Sequence, residues 1–240
     1  VGITKEMALW DTPFLISNAK EADALLDGPI GDKIRNKLQD KGLVGLAYWE
    51  NGFRNLTNSK RAINKVEDLE GIKLRVMQNN VYLNSFKTLG ANAVPMAFSE
   101  LFSALETNTV DGQENPFNTI LSSKFYEVQK YVTVTNHVYS PWIVLVSKKW
   151  WDQLSKDEQK ILSDAAKVSR DFERKDTRDE ASRAVADLKA KGMQINELPP
   201  AESARMRDKL TRVYASIGAD VGMDLWNETQ AELSKLRAKK

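Results

Sequence analysis

Two arginines fall at the ends of predicted strands. Arg54 lies just past Asn51-Gly52, and Arg75 lies near the end of Ile72-Lys-Leu-Arg-Val76. In an open α/β sheet, ligands bind beyond the carboxyl ends of the strands. A guanidinium held there can grip a carboxylate with two parallel hydrogen bonds, a geometry lysine lacks. Asn115 follows the extended segment Val110-Asp-Gly-Gln-Glu114 and precedes Pro116, offering a ligand both a donor and an acceptor. Phe98 opens a helical segment after Pro95-Met96 and is placed to wall a cavity. Each residue also has a plainer reading. Surface arginines pair with nearby acids, Asn-Pro is a turn signal anywhere, and a phenylalanine at a helix start packs in many cores. On their own, the four do not separate a binding site from ordinary structure.

Composition narrows the chemistry further. The chain has 240 residues, no cysteine and one histidine, His137. Thiol nucleophiles, disulfides and thiolate metal sites are therefore excluded, and a serine triad or zincin site would have to be built on His137. No G-x-S-x-G, H-E-x-x-H, P-loop or G-x-G-x-x-G pattern occurs. Neither a cofactor nor a metal is expected. The balance points to a binder rather than an enzyme. The enzymatic alternative is a carboxylate base, Asp111 or Glu114, acting on a small acid. A net charge of +2 gives no footing for a nucleic-acid partner. Hydrophobic residues at 42% and charged residues at 28% fit a core-forming chain. No apolar run approaches the roughly 18 residues of a membrane span. The absence of cysteine fits export to an oxidising compartment; no signal peptide is visible in the sequence, which starts at Val1 in a semi-polar segment and is read as processed or cut.

The elements that must position these residues read as alternating helix and strand, an α/β domain with a mostly parallel sheet. Trp10–Ile16 reads as a strand end turning at Pro13, and Ser17 as the cap of a helix through Leu26. A second helix runs to Lys41 and stops at Gly42. Leu43–Trp49 reads as a buried parallel strand, ended by a turn at Asn51-Gly52. Ile72–Val76, Ala93–Met96 and Val110–Glu114 read as strands, with helices at Asn80–Leu89 and Phe98–Glu106. Tyr131–Thr135 and Trp142–Ser147 read as two strands split by Tyr139-Ser-Pro141. Ser155-Lys-Asp-Glu158 is a capping box that opens a densely charged helix to about Lys191, expected to be solvated and laced with (i, i+4) pairs. Trp49 and Trp142 read as core or hinge packing, with a place in a pocket wall as the alternative.

The stretch Pro95-Met-Ala-Phe-Ser-Glu-Leu-Phe-Ser-Ala-Leu-Glu-Thr-Asn-Thr-Val-Asp-Gly-Gln-Glu-Asn-Pro116 resembles the signature of the TRAP (tripartite ATP-independent) solute-binding proteins, the DctP family. Asp68–Val76, Lys124–Gln129 and Thr135-Asn-His137 agree with the flanking pattern, and so do Leu9–Ile16 and Leu25–Gly31. The resemblance implies that Arg75 forms the principal salt bridge to a ligand carboxylate, with Arg54 as a second arginine. It also implies that Asn115 touches the ligand, that Phe98 lines the cavity and that Asn79 lies nearby. His137 is expected to be structural. The implied fold is α/β, two-lobed and like the periplasmic binding proteins, with a hinge and one long lobe-spanning helix. Lobe one would comprise residues 1–50 and 141–183. Lobe two would comprise 51–140 and 184–240, including the C-terminal helices. The family carries further strand–helix units ahead of the matched segment, so the first units of lobe one are expected to be missing. The implied function is capture of a small organic acid in the periplasm and delivery to membrane permease subunits. The alternative is a ligand-sensing module for a receptor kinase.

Overall fold

Helices and strands alternate along the computed structural model, which describes residues 2–238. A 3-10 turn over Lys5–Leu9 leads to helices α1 (Ala19–Asp27) and α2 (Pro29–Lys37). The long strand β1 (Leu43–Asn58) follows, then β2 (Lys73–Val76), α3 (Asn80–Thr88) and β3 (Asn92–Pro95). Next come α4 (Phe98–Glu106), β4 (Gly112–Pro116), α5 (Phe117–Ser122) and a second long strand, β5 (Tyr131–Ser147). The chain ends with α6 (Lys148–Trp151), α7 (Lys156–Ala190), β6 (Gln194–Glu197), α8 (Pro200–Lys209), α9 (Thr211–Val221) and α10 (Met223–Ala238). Among the described residues no helix is long and apolar enough to cross a membrane.

One mixed sheet runs in the order β3-β2-β4-β1-β5-β6. β2 pairs in parallel with β3 and β4, and β5 in parallel with β6. The longest pairing is antiparallel: β1 and β5 run against each other from Leu43↔Ser147 to Asn58↔Tyr131. This corrects the reading of Leu43–Trp49 as a buried parallel strand. It also corrects both expected breaks. Asn51-Gly52 is not a turn but part of a bulge inside β1, where Gly52 adopts φ +116°, a conformation side-chain-bearing residues avoid. Tyr139-Ser-Pro141 does not split β5. Pro141 lies opposite Glu50 at the edge of that bulge, and the Glu50 N–H donates to Glu173 of α7.

Two other local readings fail. Trp10–Ile16 holds turns rather than a strand end; Phe14 sits at φ +56° with its N–H donating to the His137 carbonyl. The cap of α1 is Asn18, whose side chain accepts from the Glu21 N–H, while the Ser17 N–H donates to the Glu21 carboxylate. The capping box of α7 is present as expected: the Glu158 N–H donates to Ser155 Oγ and the Ser155 N–H to Glu158 Oε2. The solvated reading of α7 holds for Lys160–Asp164 and Lys175–Asp179. It fails at Arg174, which is buried and donates to Asp23, Asp27 and the Tyr48 carbonyl, and at Arg178, which pairs with Asp23 and Glu50. These contacts tie α7 to α1 and to the middle of β1.

Apolar side chains gather in two clusters. The larger includes Leu25, Leu26, Ile34, Leu74, Tyr82, Val213 and Ile217, closing α1–α3 and α9 over the sheet. The smaller joins Leu101, Leu105, Ile120, Phe125 and Leu188. The charged groups of interest lie where β1, β2, β4 and β5 run side by side.

Candidate functional site

β1 meets β4 with Arg54 opposite Pro116, which places Glu114 two residues away on the same face. The Arg54 guanidinium reaches across that diagonal. Nε donates to Glu114 Oε2 at 2.5 Å, and Nη2 donates to Oε1 at 2.8 Å and to the Glu114 carbonyl at 2.7 Å. His137, from β5, brings Nε2 to 3.0 Å of Glu114 Oε2, and its Nδ1 lies 2.7 Å from Thr135 Oγ1. Arg54 and Glu114 are both buried. Burial alone would push the Glu114 carboxyl up, but Arg54 and then His137 hold it at about 2. The same partnership holds Arg54 above its ordinary value against the opposing effect of burial. So Glu114 is a fixed counter-ion, too weak a base for proton abstraction near neutral pH.

Arg75 is placed differently. It sits next to last in β2, opposite Val94 of β3. Its side chain is buried, with 2% of the residue exposed. Nε donates to the Met96 carbonyl at 3.0 Å, and Phe98 lays its ring 5.9 Å from the guanidinium carbon. Nη1 is buried without a hydrogen-bond partner among the described residues. A buried charged donor left unpaired is costly, so such a group calls for an acceptor. Burial lowers the pKa of Arg75; Glu114 opposes that shift and Arg54 adds to it. An incoming anion would relieve both penalties.

The other expected site residues gather around these two arginines. Asn115 is buried; its Oδ1 accepts from Arg54 Nη2 at 3.1 Å and its Nδ2 donates to Gln113 Oε1 at 2.6 Å. Gln113 in turn donates to Thr57 Oγ1, so the amide of Asn115 is held in one orientation. Asn79 caps α3, accepting from the Val81 N–H, and donates to Asp11 Oδ2 at 2.6 Å. Phe98 is half exposed, against Phe125 on one side and Arg75 on the other.

A cavity of about 370 Å³ opens beside Arg54, lined by Asp11, Asn51, Gln78, Asn79, Ser140 and Trp142 among others. Trp142 is 55% exposed on its wall, so the core reading of that residue is corrected. Asp11 and Gln78 are absent from the sequence-based set. Gln78 was within reach of the strand-end rule, because it lies in the loop leaving β2. Asp11 gave no local signal; a turn far from β2 in sequence carries it to the cavity.

The chain matches the family model "Bacterial extracellular solute-binding protein, family 7" (DctP) over residues 1–220. It is 39% identical over 194 residues to the 2,3-diketo-L-gulonate-binding periplasmic protein of Escherichia coli K12, covering 81% of this chain and 59% of that protein. The sugar acid binding protein of Advenella mimigardefordensis, solved with galactonate, is 50% identical with a TM-score of 0.93, over 98% of this chain and 76% of that one. A TRAP periplasmic solute-binding protein of Polaromonas sp. JS666, bound to D-erythronate, is 42% identical with a TM-score of 0.90, over 96% and 75% of the two chains. The chain spans less than two thirds of the length of several curated relatives it matches, 57% and 59% for two of them. A family match over nearly the whole chain, joined to the same fold at such identity, places this protein in the bacterial extracellular solute-binding protein family 7, the DctP family.

Proposed function

We propose that this chain belongs to the solute receptor of a TRAP uptake system and holds a small organic acid by its carboxylate on Arg75. The observation that carries this reading is the buried Arg75 guanidinium, whose Nη1 lacks a partner while Arg54 is committed to Glu114. Phe98 bounds the site on one side and the Arg54–Glu114 pair on another. Arg54 and Asn115 then act mainly by holding the floor of the site, each already hydrogen-bonded to its neighbours. The similarity to receptors solved with galactonate and D-erythronate supports an acid as the ligand. Related proteins named as periplasmic support the periplasm as its place of work, and membership of the family implies a membrane permease as its partner. The lobe boundaries at 51, 141 and 184 belong to the same proposal: ligand contacts from both lobes favour a closed state. Contraction on ligand addition in small-angle scattering is the expected sign, and an unchanged radius of gyration counts against the hinge.

The central test is calorimetry with a panel of organic acids. Arg75→Ala costs about 2–5 kcal/mol of binding, because a desolvated carboxylate loses its cation. Arg75→Lys also weakens binding, since the planar fork is lost. Affinity unchanged in both variants refutes the assignment.

A further inference from the structure

A second concave site lies where the turn ahead of α1 meets α8, α9 and α10. Its volume is about 140 Å³, and its walls include Phe14, Arg207, Tyr214, Trp226, Gln230 and Arg237. The ring side of the wall is built in place. Phe14 sits at φ +56°, a conformation that a bulky residue adopts only at a cost, and its N–H is fastened to the His137 carbonyl at 2.6 Å. Tyr214 and Trp226 stack with ring centres 6.5 Å apart and planes 30° apart, and both pack against the larger apolar cluster. The polar side is rich in uncommitted donors. The Arg207 guanidinium carbon lies 5.6 Å from the centre of the Phe14 ring, and among the described residues its side chain has neither an ion pair nor a hydrogen bond. Arg237 donates Nε and Nη2 to Glu21, and Nη2 also to the Leu15 carbonyl and Ser17, which leaves Nη1 unspent. Burial raises the Tyr214 hydroxyl to about 12, with Arg207 opposing, so the hydroxyl keeps its proton at neutral pH and can donate. Neither that hydroxyl nor the Gln230 side-chain amide is hydrogen-bonded among the described residues.

Core packing accounts for the rings but not for the donors gathered beside them. One acid, Glu21, serves two guanidiniums, so the site carries an excess of positive charge. A guanidinium lying over a ring keeps its N–H edge free for a carboxylate. A cation is repelled there, and a neutral ring leaves the charge unanswered. A small anion without a ring leaves the aromatic faces unused. A cavity of about 150 Å³ holds benzene, so the space here takes a single ring. From this arrangement we infer that the pocket between the Phe14 turn and the C-terminal helices is a second ligand site, separate from Arg75, which takes a small aromatic monocarboxylate with Arg207 as its anchoring cation and Tyr214 and Trp226 as its stacking wall. The inference does not rest on the carboxylate-binding reading of Arg75.

The test is calorimetry of benzoate with the unaltered protein, Arg75→Ala, Arg207→Glu and the double variant, with acetate and benzamide as controls. Benzoate is expected to bind the Arg75→Ala protein, and adding Arg207→Glu weakens it about tenfold or more, the value of a hydrogen bond to a charged group. Acetate and benzamide each bind more weakly than benzoate by a similar factor. In NMR spectra of the Arg75→Ala protein, the Trp226 indole N–H signal, assigned with Trp226→Phe, moves on benzoate addition, and it stays still in the double variant. Arg207 is exposed, so its charge reversal leaves the fold intact, which thermal unfolding checks. If Arg75→Ala does not fold, the same indole signal in the unaltered and Arg207→Glu proteins decides. Absence of benzoate binding to folded Arg75→Ala protein overturns the inference. So does binding that ignores Arg207, an unmoved Trp226 signal, or acetate or benzamide matching benzoate. None of these results bears on the Arg75 reading, which fails separately if organic acids bind the Arg75→Ala protein unchanged after Arg207→Glu is added.

Discussion

Replacing Glu114 with Gln removes the acid that Arg54 grips with two nitrogens while leaving its shape almost intact. The pair is buried, with 2% and 0% of the two side chains exposed, so solvent screening does little to soften the loss. The Glu114 carboxyl falls from its ordinary 4.5 to about 2 in the folded protein. At about 1.4 kcal/mol per pH unit, that drop corresponds to about 3 kcal/mol of stability. Breaking a buried pair from one side gives a similar figure, about 3–5 kcal/mol, because the remaining charge is left uncompensated. The sign follows from the direction of the shift. The folded value lies below the unfolded one, so the contribution is complete above pH 4.5 and drains away as pH falls toward 2. Urea unfolding at pH 7 therefore gives a Glu114→Gln protein less stable by about 3 kcal/mol. A pH series shows the unaltered protein losing stability between pH 4.5 and 2, while the variant is flatter over that range. A loss under about 1 kcal/mol together with identical acid limbs refutes the view that this ion pair is held by its neighbours.

Three further perturbations test how the site is carried. Arg174→Ala releases α7 from α1 and leaves the Tyr48 carbonyl without its guanidinium donors; a loss of about 3 kcal/mol is expected in urea unfolding. Ser155→Ala removes the cap of α7 and costs about 1 kcal/mol by the same assay. At Gly112, an added Cβ would come within 2.3 Å of the Thr57 carbonyl oxygen, so Gly112→Ala forces β4 away from β1. The expected result is a loss of about 2 kcal/mol and weaker binding of any acid that depends on Arg75, read by thermal unfolding and calorimetry.

Much of the local structure is legible in the residues alone. The start of α7 follows from its capping box. Gly42 and Gly90, both at positive φ, mark where α2 and its 3-10 extension, and then α3, stop. The strand breaks expected at Asn51-Gly52 and Tyr139–Pro141 mislead, because Gly and Pro mark a turn and a bulge alike. Only a long partner strand decides between the two, and β1 and β5 supply that partner for each other across about a hundred residues of chain.

The sequence determined that Arg75 lies near a strand end, Asn115 beside the Pro116 that ends its strand and Phe98 at a helix start of an α/β chain, but it misplaced Arg54, which lies inside β1. It did not determine which arginine is free. Arg54 is neutralised because the register of β1 on β4 sets it diagonal to Glu114, sixty residues away, with His137 closing the group from a third strand. Arg75 keeps an unpartnered nitrogen because its own strand neighbours offer a carbonyl and a ring but no acid within ion-pair distance among the described residues. Pairings of this kind depend on long-range register and burial. No window of local sequence encodes them, so the distinction between a structural cation and an anion-binding one belongs to the tertiary structure.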